Sequence, residues 1–257
     1  MRFKKYIVCG SMIAVLSLGG LIIGNANEKV TTVDGKDVIS SYNNLINKDG
    51  IEHLILTENN GITLDIYRDR NSGKERVDYY DENGILVERS IATDFGSSFL
   101  TLSQYTNENG EWDYTLTKTL PPKDAVLENK ELMKKSMIDG YFEEEFVNGI
   151  YGNWKKSNTN GSLVQYSDEN NNIYVDSSTG EVVKREIVSK GEVLRTLDVE
   201  ILGYNQKSVD SIFNIDAPFI KDSAIVENKS IRSISKGLKI EIEDNSNVEY
   251  DSSKGIG

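Results

Sequence analysis

Between residues 51 and 202 apolar and polar positions alternate in short runs, and turn-forming residues separate the runs. Stretches 51–57, 61–68, 75–80, 85–91, 99–106 and 112–120 are rich in Ile, Leu, Val, Tyr and Thr. These residues suit a pleated, half-buried surface, so each stretch is predicted to be a strand. Asn60-Gly61, Asn71-Ser72-Gly73, Asn83-Gly84 and Asn109-Gly110 stand between them. Asn and Gly tolerate the positive φ of a type I′ turn, which makes these connections hairpins. Hairpins this dense predict an antiparallel meander, since parallel neighbours need long crossovers. Further strands are predicted at 163–167, 173–176, 181–188 and 192–202, with turns at 168–171, 178–180 and 190–191.

Helical spacing interrupts the alternation twice. Val38, Ile39, Tyr42, Leu45 and Ile46 predict a helix over 37–47, with Asp37 as N-cap and Asp49-Gly50 as its stop. Pro121-Pro122 ends the meander. A second helical region follows at 123–146, apolar at Val126, Leu127, Leu132, Met133, Met137, Phe142 and Phe146, with Gly140 as a point where it can split. Residues 28–32 read as a polar lead, 148–153 as a turn-like connection and 209–215 as an apolar closing segment. The segment 236–242 has the composition of one more strand, and 245–257 that of a disordered tail.

The first residues change the picture from fold to compartment. Met1 to Lys5 is basic and carries no acid, Tyr6 to Gly24 is uncharged and largely apolar, and Gly24-Asn25-Ala26 offers small residues for cleavage. This is the pattern of an export signal, or of an uncleaved N-terminal membrane anchor. The predicted organisation is therefore residues 1–26 as signal or anchor, 27–221 as the folded domain, and 222–257 as a polar, partly disordered tail. Cys9, the only cysteine, lies inside the apolar run, which leaves the exported part without thiol or disulfide chemistry. Without Arg2, Lys4 and Lys5 the 29 basic residues fall to 26, against 41 acidic ones, a net charge of −15. That balance excludes nucleic acid, whose phosphates are held by clustered Lys and Arg.

Catalytic chemistry finds few residues. The only histidine, His53, lies on a predicted strand, sharing a face with Ile51 and Ile55 while Glu52, Leu54 and Leu56 face the other way. No nucleophile elbow accompanies it. Asp168, Asn170 and Asn172 have the spacing of calcium ligands. Ile173 and Thr179, however, occupy the positions that need glycine and a bidentate Glu, so the segment reads as a polar hairpin turn. Glu143, Glu144 and Glu145 point in different directions on a helix and read as a solvated face. No catalytic, cofactor-binding or metal-binding residue is assigned. The binding candidates are Trp112 and Tyr114 on a strand and Met133 and Met137 on the second helix, all suited to adaptable apolar contacts.

One longer pattern carries a resemblance. Tyr174-Val175-Asp176 runs through Ser177-Ser178-Thr179-Gly180 into Glu181-Val182-Val183-Lys184-Arg185-Glu186, and Ile212-Phe213-Asn214-Ile215-Asp216-Ala217-Pro218 follows. The sequence of strand, D-x-x-T-G turn, strand and closing F-x-I-x-x-P segment resembles the last hairpin of the LolA/LppX/RseB-like superfamily. The resemblance spans about residues 30–220. It implies an α+β fold, in which a strongly curved antiparallel sheet forms a half-barrel and helices cover its concave face. It also implies an extracytoplasmic binding protein. More loosely, the composition resembles the clostridial spore germination family GerS, which implies an adaptor whose protein partner at the envelope is a cell-wall amidase. A carrier of lipid, acyl chains or lipoproteins is the alternative within the superfamily, and a secreted two-carboxylate hydrolase is the alternative outside it.

Overall fold

The predicted hairpins assemble into one sheet. In the computed structural model, which describes residues 31–106, 108, 112–141, 153–158, 161–205, 209, 211–215, 225–227, 230–232 and 238–244, the elements run as follows. Strand β1 (Thr31–Asp34) leads into helix α1 (Lys36–Ile46). A meander follows: β2 (Ile51–Glu58), β3 (Thr63–Asp69), β4 (Lys74–Tyr80), β5 (Leu86–Thr93), β6 (Ser98–Thr106) and β7 (Trp112–Leu120). Helices α2 (Lys123–Met133) and α3 (Met137–Tyr141) lead to a second meander. This comprises β8 (Asn153–Asn158), β9 (Leu163–Ser167), β10 (Asn171–Asp176), β11 (Glu181–Ser189) and β12 (Glu192–Leu202). Strands β13 (Ile225–Glu227) and β14 (Ser230–Arg232) form a separate hairpin, and β15 (Leu238–Asp244) returns to the main sheet.

Thirteen strands pair in the order β1-β8-β9-β10-β11-β12-β2-β3-β4-β5-β6-β7-β15, and the sheet is not closed. The two meanders meet at one seam, where β12 pairs antiparallel with β2 from Arg195↔Glu58 to Leu202↔Ile51. All pairings in the sheet are antiparallel except β15 on β7. The expectation that parallel neighbours lack room holds within the meanders. It does not reach β15, because helices and the whole second meander lie between the paired strands.

Alternation sorts the strand residues onto two faces. Leu54, Leu56, Ile66, Ile173, Val175, Leu197 and Val199 point to one face and form a buried cluster with Val38, Tyr42 and Leu45 of α1 and Met137 and Ile138 of α3. This is the helix face. Its helices are fixed at their ends as well as by packing. The buried Glu52 carboxylate accepts the Met137 N–H at 2.8 Å, capping α3, and pairs with Arg70 Nε at 3.2 Å. Arg70 Nη2 in turn lies 3.4 Å from the Ile46 and Lys48 carbonyls, and so caps α1. One ion pair thus reaches backbone groups at two helix ends.

Several local readings need correction. Gly35, not Asp37, is the N-cap of α1, because β1 enters the helix directly through that glycine; Asp37 sits in the first turn. The second helical region breaks at residues 134–136, where the Glu52 cap starts a new helix, and not at Gly140. Segment 153–158 is strand β8, although its sequence is polar except for the buried Trp154. Residues 31–34, partly assigned to a polar lead, pair with it as β1. The expected strand at 236–242 is β15. The N-terminal apolar run, Glu143 to Glu145 and the segment 245–257 lie outside the described residues.

Candidate functional site

The face of the sheet opposite the helices carries a connected cluster of charges that includes the buried Asp78 and Arg89. Cross-strand register sets up one continuous row: Tyr174, Lys184, Asp198, Ile55, Asp65, Asp78, Arg89, Leu102, Leu116. A parallel row reads Glu200, His53, Tyr67, Arg76, Ile91, Leu100, Lys118. Both rows are polar in the middle of the sheet; the first turns apolar at Leu102 and Leu116 on β6 and β7, and the second at Ile91 and Leu100 on β5 and β6 before it ends in Lys118.

Asp78 is the centre of the polar part and is fully buried. Arg89 binds it bidentately, Nε to Oδ1 at 2.7 Å and Nη2 to Oδ2 at 2.6 Å. Arg76 adds Nε to Oδ1 at 3.0 Å and Nη2 to Oδ2 at 2.5 Å. Burial alone would push the Asp78 carboxyl up, but the hydrogen bonds and charges of Arg89 and Arg76 outweigh it and hold the group below its ordinary value. Burial pulls the Arg76 guanidinium down, and Asp78 more than restores it.

A stack leads from Arg76 to the seam. Arg76 Cζ lies 5.1 Å from the Tyr67 ring centroid, and the His53 ring is stacked on Tyr67 at 4.1 Å with an interplanar angle of 6°. Burial, followed by the charge of Asp65, pushes the Tyr67 hydroxyl up to about 12. His53 meets a carboxylate on each side, Asp65 through Nε2 at 2.8 Å and Glu200 through Nδ1 at 3.5 Å.

Residues 211–215 of the closing segment lie against this face. Arg76 Nη1 donates to the Ile212 carbonyl at 3.0 Å. Ile215 packs with Leu86, Ile91, Leu102 and Leu116 in a second apolar cluster. The Ile212 carbonyl and the Ile215 side chain therefore tie this segment to the β4–β7 part of the face. The D-x-x-T-G turn lies on the helix side instead. Gly180 has φ 71°, its N–H reaches the Asp176 carbonyl at 2.7 Å, and its carbonyl lies 3.4 Å from Asn44 Nδ2 of α1.

The four binding candidates fall into two places. Met133 and Met137 are buried beside the α2–α3 break, and Met137 belongs to the helix-face core. Trp112 and Tyr114 lie in β7, opposite Thr106 and Gln104, and Tyr114 also pairs with Leu238 of β15. Four strands separate β7 from the β2 that packs beneath Met137. The alternation around His53 is as the sequence implies, with Leu54 and Leu56 in the helix-face core. The Asp65, Arg76, Asp78, Arg89 and Glu200 network was not anticipated. Its signal is a polar residue at every second position of β4, Arg76, Asp78 and Tyr80, where a half-buried strand face is normally apolar. Asp168 closes the β9–β10 hairpin by accepting the N–H groups of Asn170 and Asn171 at 2.8 and 2.6 Å.

No protein-family model and no curated protein matches the chain. Among solved structures it is similar to an uncharacterized conserved protein from Thermus thermophilus, with a TM-score of 0.31 and 10% identity, over 68% of this chain and 91% of that one. Among the described residues no helix is long and apolar enough to cross a membrane.

Proposed function

We propose that this chain is an exported, non-enzymatic binding or adaptor protein of the LolA/LppX/RseB type, acting at the outer side of the cytoplasmic membrane. In this reading the sheet curves into a half-barrel and α1 to α3 line its concave side. One observation carries the choice of adaptor over carrier: side chains fill the interval between helices and sheet. Tyr42, Leu54, Ile138, Trp154 and Ile173 are each 0–2% exposed there. A carrier needs room for an acyl chain in that position. A filled core supports a protein that engages its partner through outer surfaces, and the β7 region with Trp112 and Tyr114 is the proposed contact. The partner is a protein at the cell envelope; a cell-wall amidase is the specific candidate that the resemblance suggests.

The test is affinity capture from envelope or spore extract with the exported chain from residue 27 onward, followed by mass spectrometry of bound proteins and lipids. The expected result is one enriched protein, with capture weakened by Trp112→Ala or Tyr114→Ala in chains whose unfolding midpoint is unchanged. Stoichiometric lipid without protein would replace the adaptor with a carrier, and hydrolytic turnover would remove both.

A further inference from the structure

We infer that His53 is a pH-sensitive staple across the seam between the two meanders, binding a carboxylate on each side when protonated and releasing the Glu200 side chain of β12 when neutral. The geometry carries this independently of the adaptor reading. His53 lies on β2, Asp65 on β3 and Glu200 on β12. The two carboxylates approach different ring nitrogens. A neutral imidazole has one N–H, so it would turn a lone pair toward one of them; only imidazolium donates to both. The face of Tyr67 against the ring further favours the cation.

The surrounding charges point the same way. Asp65 and Tyr67 face His53 from β3, and Glu200 faces it from β12, with Asp198 one position along on the same face. Lys184 lies across from Asp198. On β4 the Arg76 cation shares the Asp78 carboxylate with Arg89 and stands on the far side of Tyr67 from His53 in the cross-strand row. Burial disfavours the imidazolium, but the hydrogen bonds and charges of Asp65 and then Glu200 outweigh it, so His53 titrates above its ordinary 6.5.

The sign follows from that direction. The folded value exceeds the unfolded one, so the staple contributes fully below about pH 6.5 and is lost as pH rises through the folded value. On deprotonation the shorter, more buried Asp65 bond keeps the remaining proton. The side chain of Glu200, 64% exposed, is released to water. Mild acid therefore tightens the junction of the two meanders, and mild base loosens it.

His53 is the only histidine in the chain, so a single imidazole Cε1–H resonance reports its titration without assignment. The expected midpoint lies above 6.5, and Glu200→Gln moves it down. The denaturation midpoint of the unaltered chain should fall as pH rises from about 6 to about 8.5, while that of His53→Gln stays flat. A wild-type titration midpoint at or below 6.5, or one unmoved by Glu200→Gln, overturns the proposal. If His53→Gln fails to fold, the resonance titrations of the unaltered chain and of Glu200→Gln decide alone.

Discussion

Moving one residue along the chain, from Leu54 to Ile55, crosses from one face of the sheet to the other. Leu54 is flanked in register by Val199 and Ile66, and helices α1 and α3 close over it. Ile55 is flanked by Asp198 and Asp65, in a row that runs on to Asp78 and Arg89. The helix face is stabilised mainly by removal of apolar area from water, which is non-directional and tolerates exchange of similar volumes. The opposite face depends on paired charges, whose desolvation is repaid only while every partner is in place. The same backbone thus supports one face held mainly by apolar packing, around the Glu52–Arg70 pair, and one held mainly by paired charges.

Removing a single carboxylate should show the difference most strongly. Asp78→Ala leaves Arg89 and Arg76 without their buried partner and should cost about 3–5 kcal/mol in denaturant unfolding. Replacing Asp78, Arg76 and Arg89 together with apolar residues of similar volume should cost much less; equal losses would show that the charges do not act as a unit. Acid gives a second reading. Because Asp78 is held below its ordinary 3.8, its contribution is present above that value and is lost as pH falls through the lower folded value. Native-state stability measured down to about pH 3 checks this.

On the helix face, Leu54→Ala should cost about 2–5 kcal/mol through lost transfer energy and a residual cavity. That loss should be the same in mild acid and mild base, in contrast to losses on the charged face. Gly180→Val should cost about 1–2 kcal/mol, because φ 71° strains a β-branched residue. Gly180 faces α1 through Asn44, so the change tests whether the D-x-x-T-G turn supports the helix. The smallest effect is expected where an ion pair crosses the seam in partial exposure. Arg195 and Glu58 are 33% and 32% exposed, and Arg195→Ala should cost only about 0.5 kcal/mol, vanishing in high salt.

Strands were legible wherever a local pattern dictated them. Asn60-Gly61, Asn71-Ser72-Gly73 and Asn83-Gly84 placed β2 to β5, and the Asp168, Thr179-Gly180 and Lys190-Gly191 turns placed β9 to β12; the β5–β6 turn at Asp94-Phe95-Gly96 carried no such pair, and Asn109-Gly110 lies outside the described residues. Strands β1 and β8 were not legible, because Thr31–Asp34 and Asn153–Asn158 carry little apolar alternation and gain their order from each other and from Trp154. The break before Met137 was hidden for another reason: its cap is Glu52, contributed from 85 residues away. The charged network was half visible. Period-two charges in β4 stand in the sequence, but which residue meets which depends on cross-strand register, and a one-residue slip would part every pair.

The seam has a consequence in time. Strand β2 is made early, yet its partner β12 is made only after β3 to β11. Until then the growing chain has a bare β2 edge, Ile51-Glu52-His53-Leu54-Ile55-Leu56-Thr57, apolar on one face and with unpaired amides along its length. Such an edge can recruit a second copy as readily as the intended strand. Pairing over so long a chain segment also makes completion of the sheet slow relative to its hairpins. The interval between synthesis of β2 and arrival of β12 is therefore when this protein is most exposed to aggregation, and when a holding chaperone would matter most.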